Sequence, residues 1–120
     1  MRSETLAESL LHEIWKDHSR FLVALPLLSD GTPVKIIHQG DFNDHRGGPD
    51  FMNAEIALDG MRIKGDIELH RTVSDWDHHG HSDDKNYSQV ILHVVLDADL
   101  EELQNAVPKV PVLVLRDNLA

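Results

Sequence analysis

Two carboxylates and one histidine stand where a divalent metal ion could be bound. Asp50 follows a Gly-Gly-Pro segment and begins one apolar stretch, and Glu68 and His70 end the next. Carboxylate oxygens are the ligands that hard cations such as Mg²⁺ and Mn²⁺ prefer. A nearby imidazole can orient or deprotonate a water molecule beside such an ion. The pattern predicts a Mg²⁺ or Mn²⁺ site formed by Asp50 and Glu68, with His70 next to it.

The histidine-rich segment 75–84 holds the densest set of further candidate ligands. His79 and His81 are separated by one residue, so one extended segment could present both imidazoles to an ion, with Asp75 or Asp84 adding an oxygen. Such a set would also suit Zn²⁺. A polar surface loop explains the same composition equally well, and for His78 we favour that structural role.

The other histidines have more ordinary interpretations. His93 interrupts an apolar run, so we expect a buried neutral imidazole with a satisfied hydrogen bond, or else a residue that faces the same site from a neighbouring strand. Trp76 is expected to anchor its loop by packing, with substrate stacking as the alternative. The following are expected to be structural or surface residues: His12, His18, His38 and His45.

A β-hairpin must position the two carboxylates. Asp59-Gly60 separates the alternating segments 51–58 and 61–70, which is the signal for a two-residue type I′ turn. Because strand side chains alternate between faces, Glu68 and His70 point to the same side. A regular register pairs the apolar residues Leu58 with Met61, Ile56 with Ile63 and Met52 with Ile67. It also places Asp50 opposite Leu69, away from Glu68, so a shared site requires a β-bulge.

The remaining elements predict a layered domain. Apolar spacing predicts an amphipathic helix over residues 5–25, begun by a Thr5–Glu8 capping box and ended by Pro26. The other expected elements are a strand at 34–38, a polar loop at 40–50, a buried central strand at 90–96, a short helix capped by Asp97 or Asp99, and an edge strand at 110–115. The fold class is therefore α/β, bordering on α+β, with the N-terminal helix packed on a mixed central sheet.

Composition limits the function classes. The chain has 120 residues, which suits one globular domain over 1–120, and it carries a formal net charge of −10, nine histidines and no cysteine. This acidity argues against a free-standing nucleic-acid binder, because phosphate contacts need clustered Lys and Arg. The lack of cysteine excludes disulfides, Fe–S clusters and thiolate zinc sites. No apolar run suits a signal peptide or a membrane span, which favours a cytoplasmic protein.

The site residues resemble a known nuclease signature. Pro49-Asp50, followed by Glu68-Leu69-His70 on the next strand, looks like the PD-(D/E)XK motif. The resemblance implies an αβββαβ core, Asp50 and Glu68 as metal ligands, and Glu8 or Glu13 as an additional acidic residue from the helix. His70 stands where that family has Lys, and residues 71–89 are a poor helix where that family has one. A histidine at this position is not permanently cationic and can itself bind metal.

Nearly the whole chain also resembles the N-terminal part of a longer bacterial family that has no assigned function. The matching stretches are Gly48–Phe51, Gly65–His70, Asp75-Trp76, His79–His81 and Val90–Val95. This resemblance supplies no activity. It implies a longer protein of which this chain would be the N-terminal part.

Two functions fit these observations. The first is a divalent-metal-dependent phosphodiesterase or nuclease with catalytic Asp50, Glu68 and His70, in which His79 and His81 could add metal ligands. Nucleic acid is then the candidate substrate, against which the charge of −10 counts. The alternative is a non-catalytic metal- or partner-binding module that uses the loop 75–84. The relative placement of Asp50 and Glu68 distinguishes the two.

Overall fold

One mixed β-sheet carries the fold in the part of the chain that the structure describes. This computed structural model describes residues 6–44, 47–75, 85–105 and 110–120. Its helices are α1 (Leu6–Lys16), α2 (His18–Phe21) and α3 (Leu100–Gln104). Its strands are β1 (Val34–His38), β2 (Asp41–Phe42), β3 (Phe51–Leu58), β4 (Met61–His70), β5 (Val90–Val95) and β6 (Val112–Val114).

Strand β4 lies at the centre of the sheet and divides it into two halves. The strand order is β1-β3-β4-β5-β6, and β2 pairs with the start of β3. Strand β3 is antiparallel to both β1 and β4, whereas β5 runs parallel to β4 and β6 runs parallel to β5. Helix α1 packs against β4. The prediction of a mixed α/β domain with the N-terminal helix on a mixed sheet is therefore confirmed.

The main core lies between α1 and one face of the sheet. Helix α1 contributes Leu11, Ile14 and Trp15, all buried, and the Trp15 indole N–H donates to the Gln39 carbonyl at 2.9 Å. Their partners on the strands are Phe51, Ala54, Ile56, Ile67, Leu69, Leu92, Val94 and Leu113. A smaller cluster consists of Val73, Val95, Val112 and Val114. Both faces of the parallel half are thus covered, as is usual for parallel strands.

Several predicted elements have the expected bounds. The 34–38 strand and both hairpin strands agree with the prediction, and β5 is an interior strand as expected. Helix α3 begins after Asp99, whose carboxylate accepts from the Glu102 amide in a capping box. Strand β6 ends the strand order, as an edge strand should. The fold class could be predicted because these elements are set by local pattern.

The prediction of one helix over residues 5–25 is wrong in its second half. Helix α1 ends at Lys16, and after the short α2 the chain becomes extended. Leu22 forms a β-bridge with Leu119, and the Val23 amide donates to the Asn118 carbonyl at 2.9 Å. Pairing with the C-terminal segment outweighs the local helical pattern, since tertiary context overrides propensity. Thr5 lies outside the described residues.

The predicted polar loop at 40–50 contains a short strand. Asp41 and Phe42 form β2, which pairs with Met52 and Phe51. Two residues are too few for a periodic signal, so the sequence gives no indication of this strand.

In the described ranges, no helix is long and apolar enough to cross a membrane.

Candidate functional site

The last half of β4 buries polar side chains instead of exposing them. Asp66, Glu68 and His70 are only 6%, 3% and 2% exposed. The parallel register with β5 places His93, which is also buried, beside Glu68. Only the other end of the hairpin carries an ion pair at the surface, where Arg62 contacts Glu55 at 2.6 Å. Buried polar groups of this kind need specific partners.

A β-bulge brings Asp50 beside Glu68. Ala54 through Leu58 pair regularly with β4, but Phe51 lies opposite Ile67, one residue out of that register. Asn53, which lies between the two registers, has a φ of 61°, and its amide donates to the buried Asp66 carboxylate at 3.1 Å. The predicted pairing of Met52 with Ile67 is therefore wrong. The β-bulge that a shared site requires is therefore present. It brings the two residues into contact, because the Asp50 amide donates to Glu68 Oε1 at 3.2 Å.

Each oxygen of the two carboxylates has a hydrogen-bond donor from the protein. Asp50 Oδ2 accepts from the Leu69 amide at 2.8 Å, and Asp50 Oδ1 lies 3.3 Å from His12 Nε2. Glu68 Oε1 accepts from the Asp50 amide, and Glu68 Oε2 lies 3.1 Å from His70 Nε2. Each carboxylate thus receives one peptide N–H and one imidazole. An ionised carboxylate has about four lone-pair sites, so an oxygen that accepts one hydrogen bond can also bind a cation.

Helix α1 contributes His12 to the site, a residue expected from the sequence to be structural or at the surface. His12 is buried, contacts Asp50, and lies against the rings of Phe42 and Phe51 at centroid distances of 5.2 and 6.2 Å. Glu8 precedes it by one helical turn and is also buried, whereas Glu13 is exposed and pairs with Lys16. A Glu and a His four residues apart on the packed side of a helix are the signal that could have identified this face.

The other histidines in the described residues fall into two groups. His70 Nδ1 lies 2.9 Å from His93 Nε2, and the two rings are edge to face at 5.0 Å. His93 therefore combines both expected roles, because it is buried with a hydrogen bond and also faces the site. His38 is exposed and accepts from the Gly40 amide, and His18 lies beside Trp15, as expected of structural residues.

The electrostatics of Asp50 reflect its burial. Burial raises the pKa of the Asp50 carboxyl above its ordinary value, and the nearby charge of Glu68 raises it further. The hydrogen bonds from His12 and from the Leu69 amide act in the opposite direction but do not outweigh burial. A carboxyl with a raised pKa beside a second carboxyl is a frequent feature of functional sites, because a bound cation relieves both effects.

The arrangement offers oxygen ligands but not a complete metal cage within the described ranges. No group of three or more His, Asp or Glu side chains that could hold a metal ion occurs there. Asp50 and Glu68 supply two carboxylates, and Mg²⁺ typically retains several waters in addition to one or two carboxylates. The predicted loop residues Trp76, His78, His79, His81 and Asp84 lie outside the described residues, as does His45.

Comparison with known proteins places the chain in a family. No curated protein and no solved structure matches it. A family model described as "Protein of unknown function (DUF2851)" matches residues 8–120, a range that includes Asp50, Glu68, His70 and His93. A match over nearly the whole sequence confirms the expected relation to a family that has no assigned function. The chain therefore belongs to the DUF2851 family.

Proposed function

We propose that this chain carries the site of a divalent-metal-dependent phosphodiesterase of the PD-(D/E)XK nuclease type. Asp50 and Glu68 would hold a Mg²⁺ or Mn²⁺ ion, and His70 occupies the position of the family's lysine. The observation that carries the proposal is the contact between the Asp50 amide and Glu68 Oε1 at 3.2 Å, made across a bulge. β-Bulges are over-represented next to active sites, where they re-aim a side chain.

The order of elements supports the same proposal. A helix, the antiparallel strands β1, β3 and β4, and then β5 parallel to β4 match the first helix and the four strands of an αβββαβ core, and α3 lies between β5 and β6. The additional strand β2 is a departure. The connection between β4 and β5 includes residues 76–84, which lie outside the described part of the chain.

The residues suit phosphodiester hydrolysis. A bound divalent ion would polarise a phosphoryl oxygen and make a water molecule more acidic. Asp50 and Glu68 would place that ion, and the hydrogen bonds from His12 and His70 hold both carboxylates before it binds. In the reaction the water oxygen bonds to phosphorus, the bond from phosphorus to the leaving oxygen breaks, and the water's proton moves to a base. The leaving oxygen takes up a proton.

Cleavage assays with the full-length protein test this function. We expect Mg²⁺- or Mn²⁺-dependent cleavage of DNA or RNA, reduced at least about 100-fold in Glu68→Gln and Asp50→Asn. The matched control is Glu55→Gln, since Glu55 lies on the neighbouring strand and pairs with the exposed Arg62 at the other end of the hairpin. Circular dichroism of each variant confirms folding. Absence of cleavage by the wild type, or full cleavage by folded Glu68→Gln, would overturn the proposal.

The alternative is a non-catalytic module that binds a metal or a partner through the loop 75–84. It is favoured by the hydrogen bond that the protein itself supplies to each oxygen of Asp50 and Glu68. Zn²⁺ binding that survives Glu68→Gln but is lost in a His79→Ala, His81→Ala double variant would support this function over hydrolysis.

A further inference from the structure

His70 is held at both ring nitrogens by neighbouring side chains. Its Nε2 lies 3.1 Å from Glu68 Oε2, and its Nδ1 lies 2.9 Å from His93 Nε2. All three side chains are less than 5% exposed. The parallel pairing of β4 with β5 places Glu68 directly beside His93, so two adjacent strands fix this row of groups.

The direction of these hydrogen bonds follows from which atoms can donate. An ionised carboxylate only accepts hydrogen bonds. With Glu68 ionised, His70 must carry its hydrogen on Nε2 in order to donate to it. A neutral imidazole then has a lone pair on Nδ1, which can only accept. His93 must therefore donate to it from Nε2–H.

We propose that His93 is a positioning residue that fixes the tautomer of His70 and, through it, the orientation of Glu68. The order is His93 Nε2–H to His70 Nδ1, and His70 Nε2–H to Glu68 Oε2. The assignment of the tautomer stands on this geometry with Glu68 ionised and His70 neutral, whereas its effect on metal binding rests on the proposed function. Residues that orient a metal ligand in this way affect metal affinity without touching the ion.

This order also changes the role of His70 in the proposed reaction. The lone pair of His70 is directed at the His93 N–H and its own N–H is directed at Glu68. His70 therefore orients the carboxylate and does not take the water's proton while this arrangement persists. The base of the hydrolysis would be another group or a second water.

Nitrogen NMR on the metal-free full chain tests the tautomer directly. Long-range proton–nitrogen correlation of ¹⁵N-histidine-labelled protein at mildly alkaline pH distinguishes a nitrogen with hydrogen from one with a lone pair. A His70→Asn spectrum identifies the His70 signals. We expect hydrogen on Nε2 and a hydrogen-bonded lone pair on Nδ1. Hydrogen on Nδ1 would overturn the proposal, and this wild-type measurement requires no variant of His93.

Two substitutions of His93 test its positioning role. His93→Gln keeps an N–H near the Nε2 position, whereas His93→Leu removes the donor. We expect His93→Leu to give a mixture of His70 tautomers and about 10- to 100-fold weaker Mn²⁺ binding, and His93→Gln to remain within about 3-fold of wild type. His38→Leu, an exposed histidine outside the site, is the control.

The outcomes separate this proposal from the proposed function. Equal loss of Mn²⁺ binding in His93→Gln and His93→Leu, with the His70 tautomer unchanged in both, would overturn the positioning role. If the wild type binds no Mn²⁺, the metal-dependent function fails, and the His70 tautomer in wild type and in the two variants still decides the role of His93.

Discussion

The carboxylates of Asp50 and Glu68 are oriented by the protein itself before any ligand binds. Each takes one peptide N–H and one imidazole, from Leu69 and His12 in one case and from Asp50 and His70 in the other. Such preorganisation avoids the entropy of ordering side chains when an ion or substrate arrives. Burial of two neighbouring carboxylates costs stability, and functional sites commonly carry such a cost.

Replacing Asp50 by Asn should show the destabilising effect of this carboxylate as a pH-dependent difference in folding stability. The raised pKa of Asp50, above its ordinary value of 3.8, means that the folded chain binds this proton more tightly than the unfolded chain. Its contribution to stability is fully present below that ordinary value and is lost as pH rises towards the raised pKa. Asp50→Asn removes this titration, so it should gain stability relative to wild type as pH rises through that window.

Urea unfolding between acidic and neutral pH measures this difference, with the surface variant Asp41→Asn as control. A constant difference between Asp50→Asn and wild type across the pH range would show that burial does not dominate the energetics of Asp50.

At the scale of single residues, the sequence predicts only those contacts that follow from the alternation of side chains along a strand. The shared side of Glu68 and His70 follows from their spacing, and their contact agrees with it. His12 could not be assigned to the site, because its contact with Asp50 depends on how α1 crosses the sheet. The bulge could be stated only as a requirement, since a left-handed Asn53 has no strong signature among ordinary polar residues.

At the scale of elements, the site depends on the close approach of β4 and β5. Gly65 precedes the buried half of β4, and a Cβ there would lie 2.4 Å from Ile91 Cγ2 and 2.6 Å from the Gln89 carbonyl oxygen. The Asp66 amide donates to that same carbonyl at 2.8 Å. Gly65 thus permits the parallel pairing that brings His93 to His70.

Gly65→Ala should therefore destabilise the fold by about 3 kcal/mol, because backbone and a packed side chain must both shift. Gly31→Ala is the matched control, since a Cβ at Gly31 meets open space and only its φ of 91° is unfavourable, at about 1 kcal/mol. Chemical denaturation of both variants gives the comparison. A Gly65→Ala chain as stable as Gly31→Ala would mean that β4 and β5 separate easily.

The hairpin and the parallel pairing differ in how far the sequence predicts them. Asp59-Gly60 and the alternation around it specify both strands and most of their register. The pairing of β4 with β5 joins segments across a long polar connection, so no local signal defines its register. Sequence therefore indicates that β5 is a buried strand but not that His93 lies beside Glu68.

At the scale of the whole molecule, one buried asparagine joins the segment after α2 to the C-terminal segment. The Leu27 amide donates to Asn118 Oδ1 at 2.8 Å, and Asn118 Nδ2 donates to the carbonyls of Leu27 and Val114 at 3.1 and 2.8 Å. This contact holds the segment after α2 against the 3₁₀ turn Leu115–Asn118 that follows β6. The Val23 amide, which lies within the predicted long helix, donates to the Asn118 carbonyl at 2.9 Å, so the same turn also holds the chain extended there.

Asn118→Ala should lower the free energy of unfolding by about 2–3 kcal/mol, since it leaves three backbone groups of Leu27 and Val114 without this partner. Asn105→Ala removes an exposed side-chain bond to the Glu101 carbonyl and should cost about 0.5 kcal/mol or less. Thermal unfolding of the two variants checks the difference. Equal midpoints would contradict a structural role for Asn118.

The bond from the Leu69 amide to the Asp50 carboxylate has a consequence for how the site can be observed. Most amides of a central strand are protected from solvent hydrogen exchange by backbone partners, but this one is protected by a side chain. Its exchange rate therefore follows the position of Asp50 more closely than the opening of β4. The exchange rate of this one backbone amide thus reports whether the two carboxylates are assembled, with neither substrate nor metal added.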